Sequence, residues 1–381
     1  MAYAIGLDLI QSVTNLIKKD ILISPATLTK SELDKIGASV ITGITNIESE
    51  FISQAYDGAI RPYDITHNYT EADAKEVARI IERRLKVHLS YRMANMNLQR
   101  FKEKEPFDVT DKTREEILLG LPVTTYTLLQ AGEYYGQEVI KAFFHGKRSL
   151  GKDSPLGIYD GIYEHIAKDM TSYTDEDGNE VPVLIGADNG NLIATSPITK
   201  PTSASDFTAF SVYEEFIEGL DSSLVDNPDG VLILVDKKKA PYIYQAYMNR
   251  YPNLQSSVKY EGGYKFFTHD NITLVGTPLM GDTSTMIATR PGNMQLGIAS
   301  ERDDNNVYVK QYGLDPNKIH MWIQSYQGTR LLNPTKSHFA ISATEEGELH
   351  TVTPYKYGDL QIPGTGASDE GTEGSDEGTG A

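Results

Sequence analysis

The sequence predicts an α+β fold with mixed β-sheets, and three stretches carry that expectation. In "RLKVHLSYRM", Leu85, Val87, Leu89, Tyr91 and Met93 alternate with polar residues, the period of a half-buried strand. Over residues 125–144, "TYTLLQAGEYYGQEVIKAFF", the side chains of Leu128, Leu129, Tyr135, Val139, Ile140 and Phe143 share one helical face. This is the clearest long helix. In "GVLILVD" the apolar run is continuous, as in a strand covered on both faces.

The remaining elements follow from the same signals. Residues 9–19 have the pattern of a short amphipathic helix, and in "SPATLTKSELDKIG" Thr29 and Ser31 are placed to cap another. Residues 40–56 carry the β-branched content of strands, whereas 71–82 read as a helix or an ambiguous segment. After the long helix, "HGKRSLGKDSPLGIYDGI" is a Gly-rich turn region, residues 158–170 form a further helix, and a hairpin turns at "DEDGN". Residues 207–220 are helical again. "APYIYQAYMNRYP" starts a helix with Pro241 in its first turn and stops it at Pro252. The stretch 277–309, "TPLMGDTSTMIATRPGNMQLGIASERDDNNVYV", holds short apolar runs cut by Gly, Pro, Asn and Asp and reads as a strand meander. It leads to "IHMWIQSYQGTRLLNP", where Ile319, Met321 and Ile323 alternate with His320, Trp322 and Gln324.

Composition removes several function classes. A chain of 381 residues with 39% hydrophobic content buries a real core. Its 53 acidic and 35 basic residues give a net charge of -18, a poor basis for gripping nucleic acid through phosphates, so proteins or further copies of itself are the expected partners. With no cysteine there are no disulfides, thiolate zinc sites or thiol nucleophiles. The N-terminal "MAYAIGLDLIQSVTNLIKK" carries Asp8 within a short apolar start and lacks a basic flank, and no run reaches membrane-spanning length. A soluble chain without a signal peptide is expected. The closing "GTGASDEGTEGSDEGTGA" has five acids, no base and no apolar side chain larger than Ala; its composition predicts a disordered tail.

Candidate chemistry is sparse. The eight histidines are scattered without metal-ligand spacing, so a structural or surface role is favoured for each, and no metal or cofactor is expected. "TDEDGNEV" places Asp175, Asp177 and Asn179 in a short turn, too short for a calcium loop. Gly146, Lys147, Gly151 and Lys152 lack phosphate-loop spacing and read as a helix stop with a solvated loop. No nucleophile elbow or catalytic triad is recognisable, so no catalytic residue is assigned. Positive charge concentrates in one place, at Arg79, Arg83, Arg84, Lys86 and Arg92. An RNA-binding strand would need an aromatic platform, and Tyr91 is alone there. A cationic ribbon meeting acidic neighbouring subunits fits the overall charge better, so these five residues are the expected intersubunit contacts.

The order of segments resembles that of tailed-phage major capsid proteins of the Hong Kong 97-type fold. The resemblance covers roughly residues 40–342 and is carried mostly by the C-terminal half. There "YEEFIEGLDSSLVDNPDGVLILVD" precedes a helix and a turn with Gly276, Pro278, Leu279 and Met280. "MIATRPGNMQLGIASERDD" follows, with Asn293 and Met294 leading to Gly297, Asp303 and Asp304. Upstream, "GQEVIKAFFHGKRSLGKDSPLGIYDGI" resembles the end of the family's spine helix and the Gly-rich passage after it. "VITGITNIESEF" through "RLKVHLSYRM" is similar to the arm and extended loop of capsid proteins from phages of Bacteroides-like gut bacteria.

The resemblance implies an N-terminal arm at 1–46, an extended loop at 47–93 and a peripheral domain with the spine helix at 94–150. An axial domain at 151–306, returning strands at 307–345 and a C-terminal segment with the acidic tail at 346–381 complete the division. It implies an icosahedral shell around the double-stranded DNA of a tailed phage, built from hexamers and pentamers of the chain itself. The other implied partners are a separate scaffolding protein, a portal and packaged DNA held by non-specific contact. Assembly is expected in the bacterial host cytoplasm, and the final location is the virion capsid. Some relatives crosslink a loop Lys to an Asn; Lys75, Lys86 and Asn333 lie in the corresponding regions, and nothing in the sequence fixes a pairing. The alternatives are an encapsulin-like shell and a soluble carboxylate- or metal-dependent enzyme, the latter disfavoured because no acidic or histidine cluster has ligand spacing.

Overall fold

Two mixed sheets and a two-stranded hairpin organise the chain. The computed structural model describes residues 33–44, 47–55, 78–97, 135–151, 154–174, 178, 180–251, 258–261, 264–269, 271–299, 306–311 and 318–355. In chain order the strands are β1 (Ser39–Thr42), β2 (Ile47–Ala55), β3 (Ala78–Lys86), β4 (His88–Asn97), β5 (Tyr173–Thr174), β6 (Glu180–Val181), β7 (Leu192–Ala194) and β8 (Val231–Asp236). They continue with β9 (Val258–Glu261), β10 (Tyr264–His269), β11 (Ile272–Thr277), β12 (Ile287–Thr289), β13 (Met294–Ile298), β14 (Asn306–Gln311), β15 (Lys318–Leu331) and β16 (Phe339–Ala343). The fold is α+β, as the sequence predicts. The expected helix over 9–19, the capping residues Thr29 and Ser31, the start of the long helix and the acidic tail lie outside the described residues.

The seven-stranded sheet runs β7-β16-β12-β8-β11-β10-β9, with β8 and β11 parallel at its middle. Strand β8 is "VLILVD", and both its faces are covered. Val231, Ile233 and Val235 pack with the helices Thr208–Glu218 and Ala240–Arg250, while Leu234 faces a second core built on the 135–145 helix and the helix Ile162–Asp169. That is why the apolar run has no polar alternation. The two helices on the first face meet through Phe210 and Tyr247, whose rings stand edge to face at 5.2 Å, and through an ion pair of Arg250 with Glu214. Burying an aromatic side chain of this size removes enough apolar area to contribute roughly 2–3 kcal/mol before ordering entropy is subtracted. Pro241 occupies the first turn of Ala240–Arg250 as its missing N–H predicts. The turn after β11 is held by Thr277, whose hydroxyl accepts from the Leu279 amide at 3.2 Å, burying Pro278, Leu279 and Met280.

The second sheet is centred on β15, the longest strand. It pairs with β4 along 318–327 on one edge and with β14 and then β13 on the other; β1 completes the sheet by pairing parallel to β13. Residues 33–44, part of the expected arm, pack into the body, with Leu33, Ile36 and Ala38 buried in the larger core. The stretch 277–309 is not one meander. Strand β12 belongs to the seven-stranded sheet and β13 and β14 to the other, because the turn at 290–293 moves the chain between sheets. Gly292 makes that turn at a φ of 82°, its amide donating to the Gly37 carbonyl at 2.7 Å.

Strands β2 and β3 form the hairpin, in register from Ile47 opposite Lys86 to Ala55 opposite Ala78. Residues 78–82, read from sequence as the end of a helix or ambiguous segment, are therefore strand; pairing with β2 decides their conformation. A second correction concerns "RLKVHLSYRM", which is two strands broken at Val87. Ile81, Arg83, Leu85 and Val87 point inward, but beyond the break Ser90 is buried and Leu89, Tyr91 and Met93 are outside. The facing reverses where the chain crosses β15. A Cβ on Gly328 would lie 2.0 Å from the Lys86 carbonyl oxygen, and one on the paired Gly297 would lie 2.9 Å from Leu85 Cδ2. Only glycine lets the hairpin strand lie this close to the sheet. Gly328→Ala is expected to push the Lys86 carbonyl aside and cost about 1–3 kcal/mol. Thermal unfolding followed by circular dichroism checks this, and an unchanged midpoint would mean that the crossing tolerates a methyl group.

Candidate intersubunit surface

Ile52 and Ile81 of the hairpin pack on Val181 and Leu184 of the body, and Arg83 of β3 adds a polar clamp. Arg83 shares the inward phase of Ile81 and Leu85, and its guanidinium donates to both carboxylate oxygens of Asp169 at 2.7 Å. Nε and Nη2 donate to the Leu331 carbonyl at 3.1 and 2.7 Å. Asp169 ends the helix Ile162–Asp169 and is 1% exposed; Arg83 is 7% exposed. Burial opposes the arginine's charge, but Asp169 and Tyr173 together outweigh it and hold the guanidinium above its ordinary pKa.

A second buried arginine completes the root. Arg330, on β15, donates from Nη1 to the Arg83 carbonyl at 3.0 Å and the Glu48 carbonyl at 3.3 Å, and from Nε to Gln295 Oε1 at 2.9 Å. Its Nη2 also lies 3.3 Å from Glu50 on β2. Burial lowers its pKa, and Glu50 and Glu48 partly offset that. Both hairpin strands are thus tied to the body through side chains that bond backbone carbonyls, which fixes direction as well as distance.

The expected cationic ribbon divides. Arg83 is buried and paired with Asp169 within the chain. Arg84 faces the other way, pairs with Glu82 at 2.7 Å and is partly exposed, and Lys86 is exposed. Arg79 is opposite Gln54 and Arg92 opposite Ile323 in strand register; their side chains lie outside the described residues. Sequence reasoning missed Asp169, Arg330 and Gln295. One signal for the clamp was present, since an arginine between Ile81 and Leu85 on a period-two strand occupies the buried phase.

Beyond the root, the sheet presents an apolar stripe. Leu89 is 48% exposed, Tyr91 55%, Met93 53% and Trp322 37%. The Tyr91 and Trp322 rings lie 5.0 Å apart, tilted by 30°, and Met93 sits opposite Trp322 across the strands. The reverse face is sealed by a buried polar network in which Tyr135 bonds Ser90 at 2.7 Å and Ser325 more closely, while Gln327 donates to Ser325 at 2.6 Å. Burial raises the Tyr135 pKa, which the two serines partly oppose. Large apolar side chains exposed together over a buried polar network make this face a candidate association surface.

The other candidate residues are accounted for locally. Lys147 pairs with Glu164 at 3.0 Å beside the 3-10 turn Arg148–Leu150, while Lys152 and the acidic turn residues Asp175, Asp177 and Asn179 lie outside the described residues. The Asn333 side chain accepts from the Thr335 amide at 3.0 Å and contacts His338 at 3.2 Å; Lys75 is outside the described residues. Among the described residues no group of three His, Asp or Glu side chains is placed to hold a metal ion, and no helix is long and apolar enough to cross a membrane. His145 ends the 135–145 helix half-buried, and desolvation lowers its pKa to about 4 against a backbone hydrogen bond at Leu279.

No family model matches the chain, and no curated protein matches it. Several solved structures show a likeness over most of the chain. The satellite phage P4 procapsid including size determination (Sid) protein matches at 10% identity over 84% of this chain and 90% of that chain, with a TM-score of 0.46. The capsid of the empty GTA particle matches at 10% identity over 83% and 90%, with a TM-score of 0.48. A virus-like particle from Pyrococcus furiosus matches at 8% identity over 85% and 98%, with a TM-score of 0.43.

The division of the ribbon is testable by charge reversal. Arg83→Glu leaves Asp169 buried against a second carboxylate and is expected to cost about 3–5 kcal/mol, whereas Arg84→Glu removes a partly exposed pair worth about 0–1 kcal/mol. Urea unfolding of the two variants distinguishes them. Equal midpoints would show that the Arg83 pair does not hold the root.

Proposed function

We propose that this chain is a major capsid protein, self-assembling into the icosahedral shell of a tailed double-stranded DNA phage. The observation that carries the reading is a rigidly rooted hairpin continuing into a sheet whose outer face is an exposed apolar stripe, Leu89, Tyr91, Met93 and Trp322. A shell subunit needs a stiff body, a projecting element and a surface that neighbours cover many times over. Each contact can be weak, because closure repeats it around the particle. The sequence resemblance over residues 40–342 supports the same reading. Its role is structural, without a catalytic step.

On this reading the partners are further copies of the chain as hexamers and pentamers, a separate scaffolding protein, a portal, and DNA held only by non-specific contact. Assembly occurs in the bacterial host cytoplasm. A net charge of -18 suits a shell that must not hold its genome tightly, since any negative charge facing the lumen repels packaged DNA.

Light scattering of the purified full chain, with and without co-expressed scaffold, together with negative-stain microscopy, is expected to reveal rings or closed shells. Tyr91→Ser combined with Trp322→Ser removes two aromatic anchors, each worth on the order of 2 kcal/mol at an interface. Particle yield is expected to fall by about tenfold or more, with subunit unfolding unchanged. A clean monomer under every condition would contradict the shell reading, and normal yield from the double variant would contradict the assigned surface.

A further inference from the structure

His165 sits beside the hairpin root, on the helix that carries Asp169, and reaches the Thr329 backbone of β15. Its side chain is half-buried on the helix Ile162–Asp169, with Nε2 shielded from solvent and without a hydrogen-bond partner among the described residues. The groups facing it come from each neighbouring element: Arg83 from β3, Asp169 on its own helix, Asp160 from the preceding loop, and the Thr329 backbone of β15. Behind Arg83 stand Tyr173 of β5 and, through the Arg83 carbonyl, Arg330. A protonatable nitrogen without a partner, buried beside an ion pair that fixes a projecting element, is costly as a purely structural choice.

We propose that Arg83, Asp169 and His165 form an acid-sensitive latch, in which His165 Nε2 takes a proton from solvent, sets a second cation against the Arg83 guanidinium and frees the β2–β3 hairpin before the body unfolds. Asp169 already accepts from both guanidinium nitrogens, so both its oxygens are engaged by Arg83. Like charges close together in a low-dielectric site repel, and exit of the hairpin, against the packing of Ile52 and Ile81 on Val181 and Leu184, relieves that repulsion. Burial, then Arg83, lower the His165 pKa in the folded chain, while Asp169, Asp160 and the Thr329 backbone oppose them. The neutral ring's contribution is therefore complete above about pH 6.5, the unfolded value, and is lost as pH falls from there through the lowered native value. His145, in the body, also has its pKa lowered, to about 4, and is set against Leu279 and Lys141, not against the root. The latch stands whether or not the chain builds a shell.

Amide hydrogen exchange on the full-length protein, read by mass spectrometry and corrected for intrinsic pH dependence, tests this directly. Between about pH 7 and about pH 5, exchange across residues 47–55 and 78–86 is expected to accelerate by about tenfold or more. Exchange across the β8 and β11 strands should change by less than about twofold. His165→Gln, which keeps a polar side chain and cannot titrate, is expected to abolish the acceleration in the hairpin. Simultaneous acceleration of hairpin and body in the unaltered protein would overturn the proposal, as would an unchanged acid response in His165→Gln. Should that variant fail to fold, the hairpin-to-body comparison in the unaltered protein decides alone.

Discussion

The ion pair between Arg83 and Asp169 is the constraint on which the rest of the structure depends. It joins two elements 86 residues apart in sequence and buries a charge on each. Such a pair contributes little net stability over a well-packed apolar alternative, because desolvation offsets most of the attraction. Its value is directional. A guanidinium that must satisfy two carboxylate oxygens and the Leu331 carbonyl at once accepts few orientations of β3. Arg330, bonded to carbonyls on both hairpin strands, narrows them further. The hairpin therefore leaves the body at a set angle, and β4 enters the second sheet in a set phase.

That phase decides which side chains reach the outside. Had the alternation of β3 continued through Val87, Leu89, Tyr91 and Met93 would lie under the sheet and Ser90 on top. The crossing at Gly328 and the inward network of Ser90, Tyr135, Ser325 and Gln327 reverse it. The apolar stripe is thus a product of tertiary structure, held outward by buried hydrogen bonds that would be left unmade in the opposite facing. In the seven-stranded sheet, strands β8, β11, β12 and β16 contribute to apolar cores on both faces. A body with a directed hairpin and an apolar face suits repeated association, where the geometry of each contact must be reproduced many times and its strength need not be large.

Much of this was legible in the sequence where local pattern and tertiary setting agree. "GVLILVD" reads as a doubly covered strand and is one. The helices at 207–220 and at "APYIYQAYMNR" announce themselves through period and through Pro241, and the hairpin around "DEDGN" pairs as Tyr173–Thr174 with Glu180–Val181. The failures fall where distant contacts override pattern. Residues 78–82 have mixed periodicity and become strand because β2 pairs with them. The reversal at Val87 is invisible in "RLKVHLSYRM", since the apolar period runs on unbroken while the strand does not. Asp169 could not be matched to Arg83 from sequence, although the position of Arg83 between Ile81 and Leu85 already marked it as buried. The division of 277–309 between two sheets depends on Gly292 meeting Gly37, a contact across more than half the chain.

The central claim is that this chain builds a shell through the face its root clamp turns outward. A cryo-electron microscopy reconstruction of particles assembled from the full-length protein measures it most directly. The account predicts a closed shell in which Leu89, Tyr91, Met93 and Trp322 are covered by a neighbouring copy and Arg83 remains paired with Asp169 inside each subunit. A shell in which that stripe faces solvent, or an Arg83 that reaches into a neighbouring subunit, would contradict it.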